Sequence, residues 1–150
     1  MLVFDYHHRV RYRECDPMGL VYHTHYFDYF EAARTEALRE MGLAYRNLEQ
    51  SGIVMPVTEA AIRYHRPARY DDVVLIRSKF EPHVPVTRVR IEYEGWVVDS
   101  GQKVVSGSVT LCFFDPERQR PVRAPQSVRE VFERAIDRSR QVEEKGDDAA

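Results

Sequence analysis

The sequence has few cysteines and no long apolar run. Its 150 residues include two cysteines, Cys15 and Cys112, which lie far apart and lack the spacing of metal ligands. A reduced protein without a disulfide is therefore expected. The first eight residues contain no apolar stretch of signal-peptide length, and no later stretch approaches the length of a membrane span. These absences predict a cytoplasmic protein with no membrane span.

A basic excess is also missing. The chain carries 22 lysines and arginines against 24 aspartates and glutamates, for a formal net charge of -2. Because nucleic-acid binding requires a surplus of positive charge, no nucleic-acid partner is expected. No internal repeat or linker divides the chain, so residues 1–140 are predicted to form one domain. Residues 141–150 have acidic charge and no periodic apolar residues, which predicts a disordered tail.

What the sequence does contain is one strongly periodic helix within a series of strands. Apolar residues recur at three- and four-residue steps through Thr24–Met41, and Gly42 is the predicted stop. The remaining pattern predicts strands Phe4–Arg13, Val57–His65, Val73–Phe80, Val86–Val98 and Lys103–Phe114, a short helix Tyr45–Gln50, and a final helix opened by a capping box at Ser127–Glu130. This order predicts an α+β fold in which a curved antiparallel β-sheet wraps a long central helix. Exposed sheet edges favour pairing with a second copy.

A single carboxylate stands just before the long helix. Asp16 is followed by Pro17 and Gly19, which predict a tight loop. That loop leads to a helix N-terminus, where unpaired N–H groups and the helix dipole favour negative charge, so an oxyanion is stabilised there. An aspartate beside proline and glycine is also typical of a turn or a helix cap. The residues alone leave both roles open.

Other chemistries have less support from the sequence. Cys15, Asp16, His23 and His25 are residue types that bind metals, but residues two apart on a helix point to different sides. No metal and no cofactor is therefore expected. Cys15 is interpreted as a small buried residue rather than a nucleophile. No Gly-x-Ser-x-Gly elbow occurs, so a serine hydrolase is not supported.

Three segments, Glu14–His23, Tyr29–Glu36 and Tyr64–Asp72, resemble the hotdog-fold acyl-CoA thioesterases of the 4-hydroxybenzoyl-CoA thioesterase family. The resemblance covers roughly residues 10–125. The Cys-Asp-Pro-x-Gly motif is similar to the hydroxybenzoyl branch, while Val-Tyr-His and Glu-x-x-Arg-x-Glu are similar to the bacterial acyl-CoA branch associated with the Tol-Pal system. The resemblance implies a hotdog fold and hydrolysis of a small acyl- or aroyl-CoA without a cofactor. It also implies a homo-oligomer, at least a dimer and, as expected for the family, a tetramer.

The resemblance also implies roles for individual residues. Asp16 is the implied catalytic carboxylate, which either attacks the thioester carbonyl or activates the attacking water. The backbone N–H at position 23 polarises the thioester oxygen, and the His23 side chain acts at the same centre. Tyr12 matches a tyrosine near the site in the acyl-CoA branch. The predicted substrate contacts are Gly19, Val21, Tyr26, Glu31 and Arg88.

Two departures from the family pattern affect the substrate. Where the hydroxybenzoyl branch has basic residues for the coenzyme A phosphates, this chain has His83–Pro85, so Arg66, Arg69 and Arg88 become the candidates. Glu31 replaces an aspartate near the phenol end of the pocket, which argues against a hydroxybenzoyl substrate. Two alternative functions share this fold: a binding module for acyl-CoA or an acyl carrier that does not hydrolyse it, and an enoyl-CoA hydratase.

Overall fold

The computed structural model describes residues 1–149, without the side chain of Tyr45. The elements in chain order are β1 (Leu2–Arg9), a 3-10 turn (Tyr12–Glu14), α1 (His25–Met41), α2 (Tyr45–Gln50), β2 (Val57–Tyr64), β3 (Val73–Phe80), β4 (Arg88–Val97), β5 (Lys103–Cys112), β6 (Phe114–Asp115), β7 (Arg120–Pro121) and α3 (Gln126–Asp148). No helix among these residues is long and apolar enough to cross a membrane.

A five-stranded antiparallel sheet forms the frame of the fold, with the strand order β1-β3-β4-β5-β2. Alternate residues of β3, β4 and β5 point to one face and form the core with the apolar face of α1. At the centre of this layer the Phe30 ring of α1 stacks on the Tyr93 ring of β4, with ring centroids 4.3 Å apart. The predicted α+β fold, with the sheet wrapped around one long helix, is confirmed.

Gly107 of β5 allows the helix to approach the sheet this closely. A Cβ atom at this position would lie 3.0 Å from the Phe30 ring and 2.5 Å from the Ala61 carbonyl oxygen of β2. The contact with the carbonyl oxygen is shorter than Cβ atoms make, and the contact with the ring would require the ring to shift. Only glycine therefore fits at this point without displacing the helix or the neighbouring strand.

The first strand is shorter than predicted. β1 ends at Arg9, and the backbone N–H of Val10 then donates to the Asp72 carbonyl at 2.8 Å. The Glu14 carboxylate accepts the Arg11 N–H at 2.7 Å, which closes a 3-10 turn over residues 12–14. The prediction of a strand to Arg13 is wrong because the Glu14 side chain bonds to the nearby Arg11 N–H and so favours a turn over a strand. Tyr12 consequently lies on a turn.

The last helix also differs from the prediction. α3 starts at Gln126 after Pro125, so Ser127 lies inside the helix, and no side chain caps its start. The capping-box prediction is therefore wrong. α3 continues to Asp148, so residues 141–148 are helical where a disordered tail was predicted. The first half of α3 is held on the core by its buried apolar residues. Residues 141–148 have good helix propensity, so they continue this helix. Ala150 of that predicted tail lies outside the described residues.

Candidate functional site

The loop before α1 is closed by backbone hydrogen bonds. The Tyr22 N–H donates to the Glu14 carbonyl at 2.9 Å, and the Asp16 N–H donates to the Leu20 carbonyl at 2.8 Å. Gly19 completes the tight turn with φ of 78°, a conformation that side-chain-bearing residues rarely adopt. The loop is therefore a rigid support rather than a free linker.

The loop also holds the Asp16 side chain in place. Its Oδ1 atom accepts the N–H groups of Met18 at 2.9 Å and Leu20 at 3.1 Å. Its Oδ2 atom accepts no hydrogen bond from the described residues. Asp16 is half-buried and lines a cleft of about 480 Å³. One carboxylate oxygen thus orients the side chain, while the other stays available to a ligand.

The N-terminus of α1 lines the same cleft. Thr24 is the N-cap residue but makes no side-chain cap bond. Within residues 1–149 the N–H groups of His23 and Thr24 donate to no acceptor. The Tyr64 hydroxyl donates to the His23 carbonyl at 2.9 Å, which ties this end of the helix to β2. The cleft therefore combines the Asp16 carboxylate with His23, whose N–H is free at the positive end of a helix.

Aromatic rings form the wall beside these groups. The Tyr26 ring lies 5.7 Å from the Tyr64 ring, and the His23 ring lies 6.1 Å from it. Burial raises the pKa of Tyr26 to about 12, so its hydroxyl stays protonated at neutral pH. Burial, with the neighbouring carboxylates, also raises the pKa of the Cys15 thiol. A protonated thiol is a poor nucleophile, in agreement with the interpretation that Cys15 is not one. The residue is half-buried, however, and not buried as predicted.

A buried carboxylate supports the loop from behind. The Glu14 Oε1 atom accepts hydrogen bonds from His8 Nε2 of β1 at 2.9 Å, from Arg11 N at 2.7 Å and from the Tyr29 hydroxyl of α1 at 3.1 Å. Burial by itself raises the pKa of Glu14, but the hydrogen bonds from Arg11, His8 and Tyr29 outweigh it and lower the pKa overall. Glu14 thus joins β1, the turn and α1 at one atom.

Four of the residues predicted for the site lie together, and a fifth belongs to the same loop. Asp16, Val21, His23 and Tyr26 line the cleft, and Gly19 shapes the loop. Tyr64 completes the cleft but was not among the sequence candidates, because its position in a strand gives no sign of the contact with His23. Glu14 was also missed, since a charged residue in a loop motif is ordinarily exposed.

The other three candidates lie elsewhere in the chain. Tyr12 is 80% exposed on its turn and does not line the cleft. Glu31 lines a separate cavity of about 250 Å³ further along α1, beside Arg34 and Thr35. Arg88 lies at the start of β4, opposite Cys112 at the end of β5 and hence at the other end of the sheet. Within one chain the structure does not bring these three to Asp16.

A metal centre has no support in the described part of the chain. No three histidine, cysteine, aspartate or glutamate side chains of residues 1–149 converge in a way that could hold an ion. His25, one of the possible ligands, instead pairs through Nδ1 with the Asp28 carboxylate at 3.0 Å.

The curved antiparallel sheet around one long helix is the arrangement of the hotdog fold. A family model described as the thioesterase-like superfamily matches residues 10–132. The chain belongs to this superfamily, so the predicted family, fold and class of enzyme are confirmed.

Individual relatives agree with this assignment. A putative esterase from Synechocystis is 32% identical over 117 residues, which make up 77% of this chain and 69% of that protein. The acyl-CoA thioesterase YbgC of Haemophilus influenzae is 28% identical over 130 residues, or 86% of this chain and 93% of that protein. The crystal structure of a DHNA-CoA thioesterase from Staphylococcus aureus matches with a TM-score of 0.82 and 25% identity, covering 97% of this chain and 96% of that one.

Proposed function

We propose that this protein is an acyl-CoA thioesterase that hydrolyses a small acyl- or aroyl-CoA to the free acid and coenzyme A. The observation that carries the proposal is the cleft in which the Asp16 carboxylate and the N-terminus of α1 lie together. The relatives named as acyl-CoA thioesterases support the choice of coenzyme A thioesters.

The chemistry follows from the two parts of the cleft. Attack on the thioester carbonyl places negative charge on its oxygen, which the free N–H group of His23 stabilises at the N-terminus of α1. One such preorganised donor contributes about 3 kcal/mol to the transition state. Asp16 either attacks the carbonyl carbon to give an anhydride that water then hydrolyses, or removes a proton from the attacking water. In both routes the carbon–sulfur bond breaks and coenzyme A leaves as the thiol.

The replacement Asp16→Asn tests the role of the carboxylate. The amide keeps an oxygen for the Met18 and Leu20 N–H groups, so the loop keeps its shape. We expect the rate of thiol release from acyl-CoA substrates to fall about 100- to 10,000-fold. The matched control is Asp28→Asn, which removes an exposed carboxylate from the first turn of α1 and should leave the rate nearly unchanged.

Three results would contradict the proposal. If Asp16→Asn released thiol at the wild-type rate, Asp16 would have no role in the reaction. A wild-type protein that binds acyl-CoA but releases no thiol would be a binding module, and addition of water to an enoyl-CoA without thiol release would indicate a hydratase.

We also propose that two copies join along β2 to form a dimer. Ala60, Ile62 and Tyr64 share a face with the core residues of β5 that they pair with, yet Ala60 and Tyr64 are exposed and Ile62 is only half-buried. Among residues 1–149, no further strand pairs with the outer edge of β2. A second copy would pair with the free backbone N–H and C=O groups of this edge and bury this face of β2. Because Tyr64 also lines the cleft, the dimer interface adjoins the site.

A further inference from the structure

A histidine of β1 holds the Asp16 loop through Glu14. Its Nε2 atom donates to the Glu14 Oε1 atom at 2.9 Å, and the His8 ring lies against the Tyr29 ring of α1, with ring centroids 4.2 Å apart. The His8 side chain is only 16% exposed. His8 is thus packed between the sheet, the 3-10 turn and the long helix, and the chemistry described above gives it no part.

Both ring nitrogens of His8 have a partner, which fixes the ring and the place of its proton. The folded state lowers the pKa of Glu14, so its carboxylate is ionised near neutral pH and only accepts hydrogen bonds. Nε2 of His8 therefore carries a proton. In the neutral ring Nδ1 is then an acceptor, and the Tyr6 hydroxyl donates to it at 3.3 Å. The ring is held in one orientation from both sides.

The residue that His8 holds also closes the catalytic loop with its backbone. The Glu14 carbonyl accepts the Tyr22 N–H at 2.9 Å. Tyr22 directly precedes His23, which supplies the N–H group at the start of α1. Asp16 lies two residues after Glu14 on the other side of the loop. A change in the orientation of Glu14 consequently moves the carboxylate and the N–H donor together.

His8 differs from the other groups that bond to the Glu14 side chain in the element that carries it. In the described part of the chain Oε1 accepts from three donors, and of these the Arg11 N–H belongs to the same turn and the Tyr29 hydroxyl to α1. His8 belongs to β1, which is paired with β3 from Leu2 to Arg9. A fully paired strand is a rigid support. Through His8 the sheet therefore fixes the loop and the start of α1.

We propose that His8 is a positioning residue for the thioesterase reaction, which acts through Glu14 to set the Asp16 carboxylate and the His23 N–H at the thioester carbonyl. This proposal rests on the proposed function, since it assumes a thioester between those two groups. His8 acts without touching the reacting atoms. A displacement of about 1 Å at a reacting centre lowers a rate by as much as about 100-fold, so the loss of one support behind the loop is measurable in kcat.

Replacements of His8 separate its two ring nitrogens. His8→Phe keeps a ring against Tyr29 but removes the bond to Glu14. The amide nitrogen of a glutamine reaches about as far from Cβ as Nε2 does, whereas that of an asparagine reaches only as far as Nδ1. His8→Gln therefore keeps the donor to Glu14, and His8→Asn loses it. The matched control is His7→Phe, because His7 is the neighbouring, exposed histidine of β1 on the other face of the sheet.

We expect kcat for thiol release to fall at least about tenfold in His8→Phe and in His8→Asn, with KM within about twofold of the wild-type value. His8→Gln should recover most of kcat, and His7→Phe should keep it. Adding His8→Phe to Glu14→Ala should lower kcat little further than Glu14→Ala does by itself, because both changes remove the same hydrogen bond.

Hydrogen exchange of the Tyr22 N–H, followed by NMR, supplies a readout that needs no hydrolysis. This N–H is bonded to the Glu14 carbonyl, so it reports on the closure of the loop. A hydrogen bond to a charged group is worth a factor of about ten or more, so exchange should be at least about tenfold faster in His8→Phe than in the wild type. His8→Gln should restore the wild-type rate of exchange.

Several results would overturn the proposal. An unchanged kcat in His8→Phe would remove its role, and a loss carried by KM would indicate a role in binding instead. Equal losses in His8→Gln and His8→Asn would indicate general packing. A fall in kcat without faster exchange at Tyr22 would also count against it, since the loop would not have moved.

The two readouts separate this proposal from the proposed function. A wild type that shows the expected exchange pattern but releases no thiol would refute the thioesterase activity and support the link from His8 to the loop. Thiol release with a kcat and a Tyr22 exchange rate that do not depend on His8 would support the activity and overturn the role of His8.

Discussion

The buried Glu14 carboxylate is expected to control both the stability of the protein and the position of Asp16. Its Oε1 atom accepts three hydrogen bonds, from His8, Arg11 and Tyr29. In Glu14→Ala the exposed Arg11 N–H can donate to water instead, but the His8 and Tyr29 donors lose a buried acceptor. Each such loss costs about 1–3 kcal/mol, so the two together should lower the free energy of unfolding by roughly 2–6 kcal/mol. For a chain of this length, such a loss lowers Tm by roughly 4–24 °C.

Glu14→Gln separates the charge from the shape of the side chain. It keeps an oxygen acceptor and nearly the same volume, so we expect a loss of about 1–2 kcal/mol and an intact fold. The activity should still fall, mainly through kcat, because the loop that carries Asp16 starts at Glu14 and α1 is held to it through Tyr29. Thermal unfolding and steady-state kinetics on the same preparations measure the two effects. An unchanged Tm and unchanged kcat in Glu14→Ala would refute this reasoning.

The same residue gives a pH dependence with a definite sign. The folded state lowers the pKa of Glu14 below its ordinary value of 4.5, so its contribution to stability is fully present above that value. The contribution is lost as the pH falls through the lower, folded-state pKa. The difference in free energy of unfolding between wild type and Glu14→Gln should therefore be constant near neutral pH and shrink in acid below about pH 4.5. A difference that grows in acid would reverse the assigned sign.

Two further changes test packing and assembly. Gly107→Ala should destabilise the fold by about 1–3 kcal/mol, because the added methyl group meets the Ala61 carbonyl and the Phe30 ring. The control Gly146→Ala, on the open surface of α3, should be neutral or slightly stabilising. Thermal unfolding compares the two variants, and equal effects on Tm would contradict the packing argument. Ala60→Asp places a charge on the exposed face of β2, which should prevent two copies from joining and so halve the mass measured by light scattering. A variant that keeps the wild-type mass would argue against the β2 interface.

Local patterns were sufficient to predict most of the secondary structure. The apolar period of α1 and its stop at Gly42, where φ is 107°, agree with the structure. The bounds of α2 and β3 agree to the residue. These features depend on neighbours a few positions apart, and such neighbours are visible in the sequence. The β6–β7 hairpin was not predicted, because its strands of two residues are too short to show a period.

The sequence by itself determined the helix, the strands and the loop that presents Asp16, since propensity, periodicity and turn residues act over short distances along the chain. Only the tertiary structure decided which side chains meet at the loop. It brought Tyr64 from β2 to the start of α1, buried Glu14 against His8 and Tyr29, and left Tyr12 on the surface. The physical reason is that burial and convergence depend on how distant elements pack, and a residue's own neighbours in sequence carry little information about that packing.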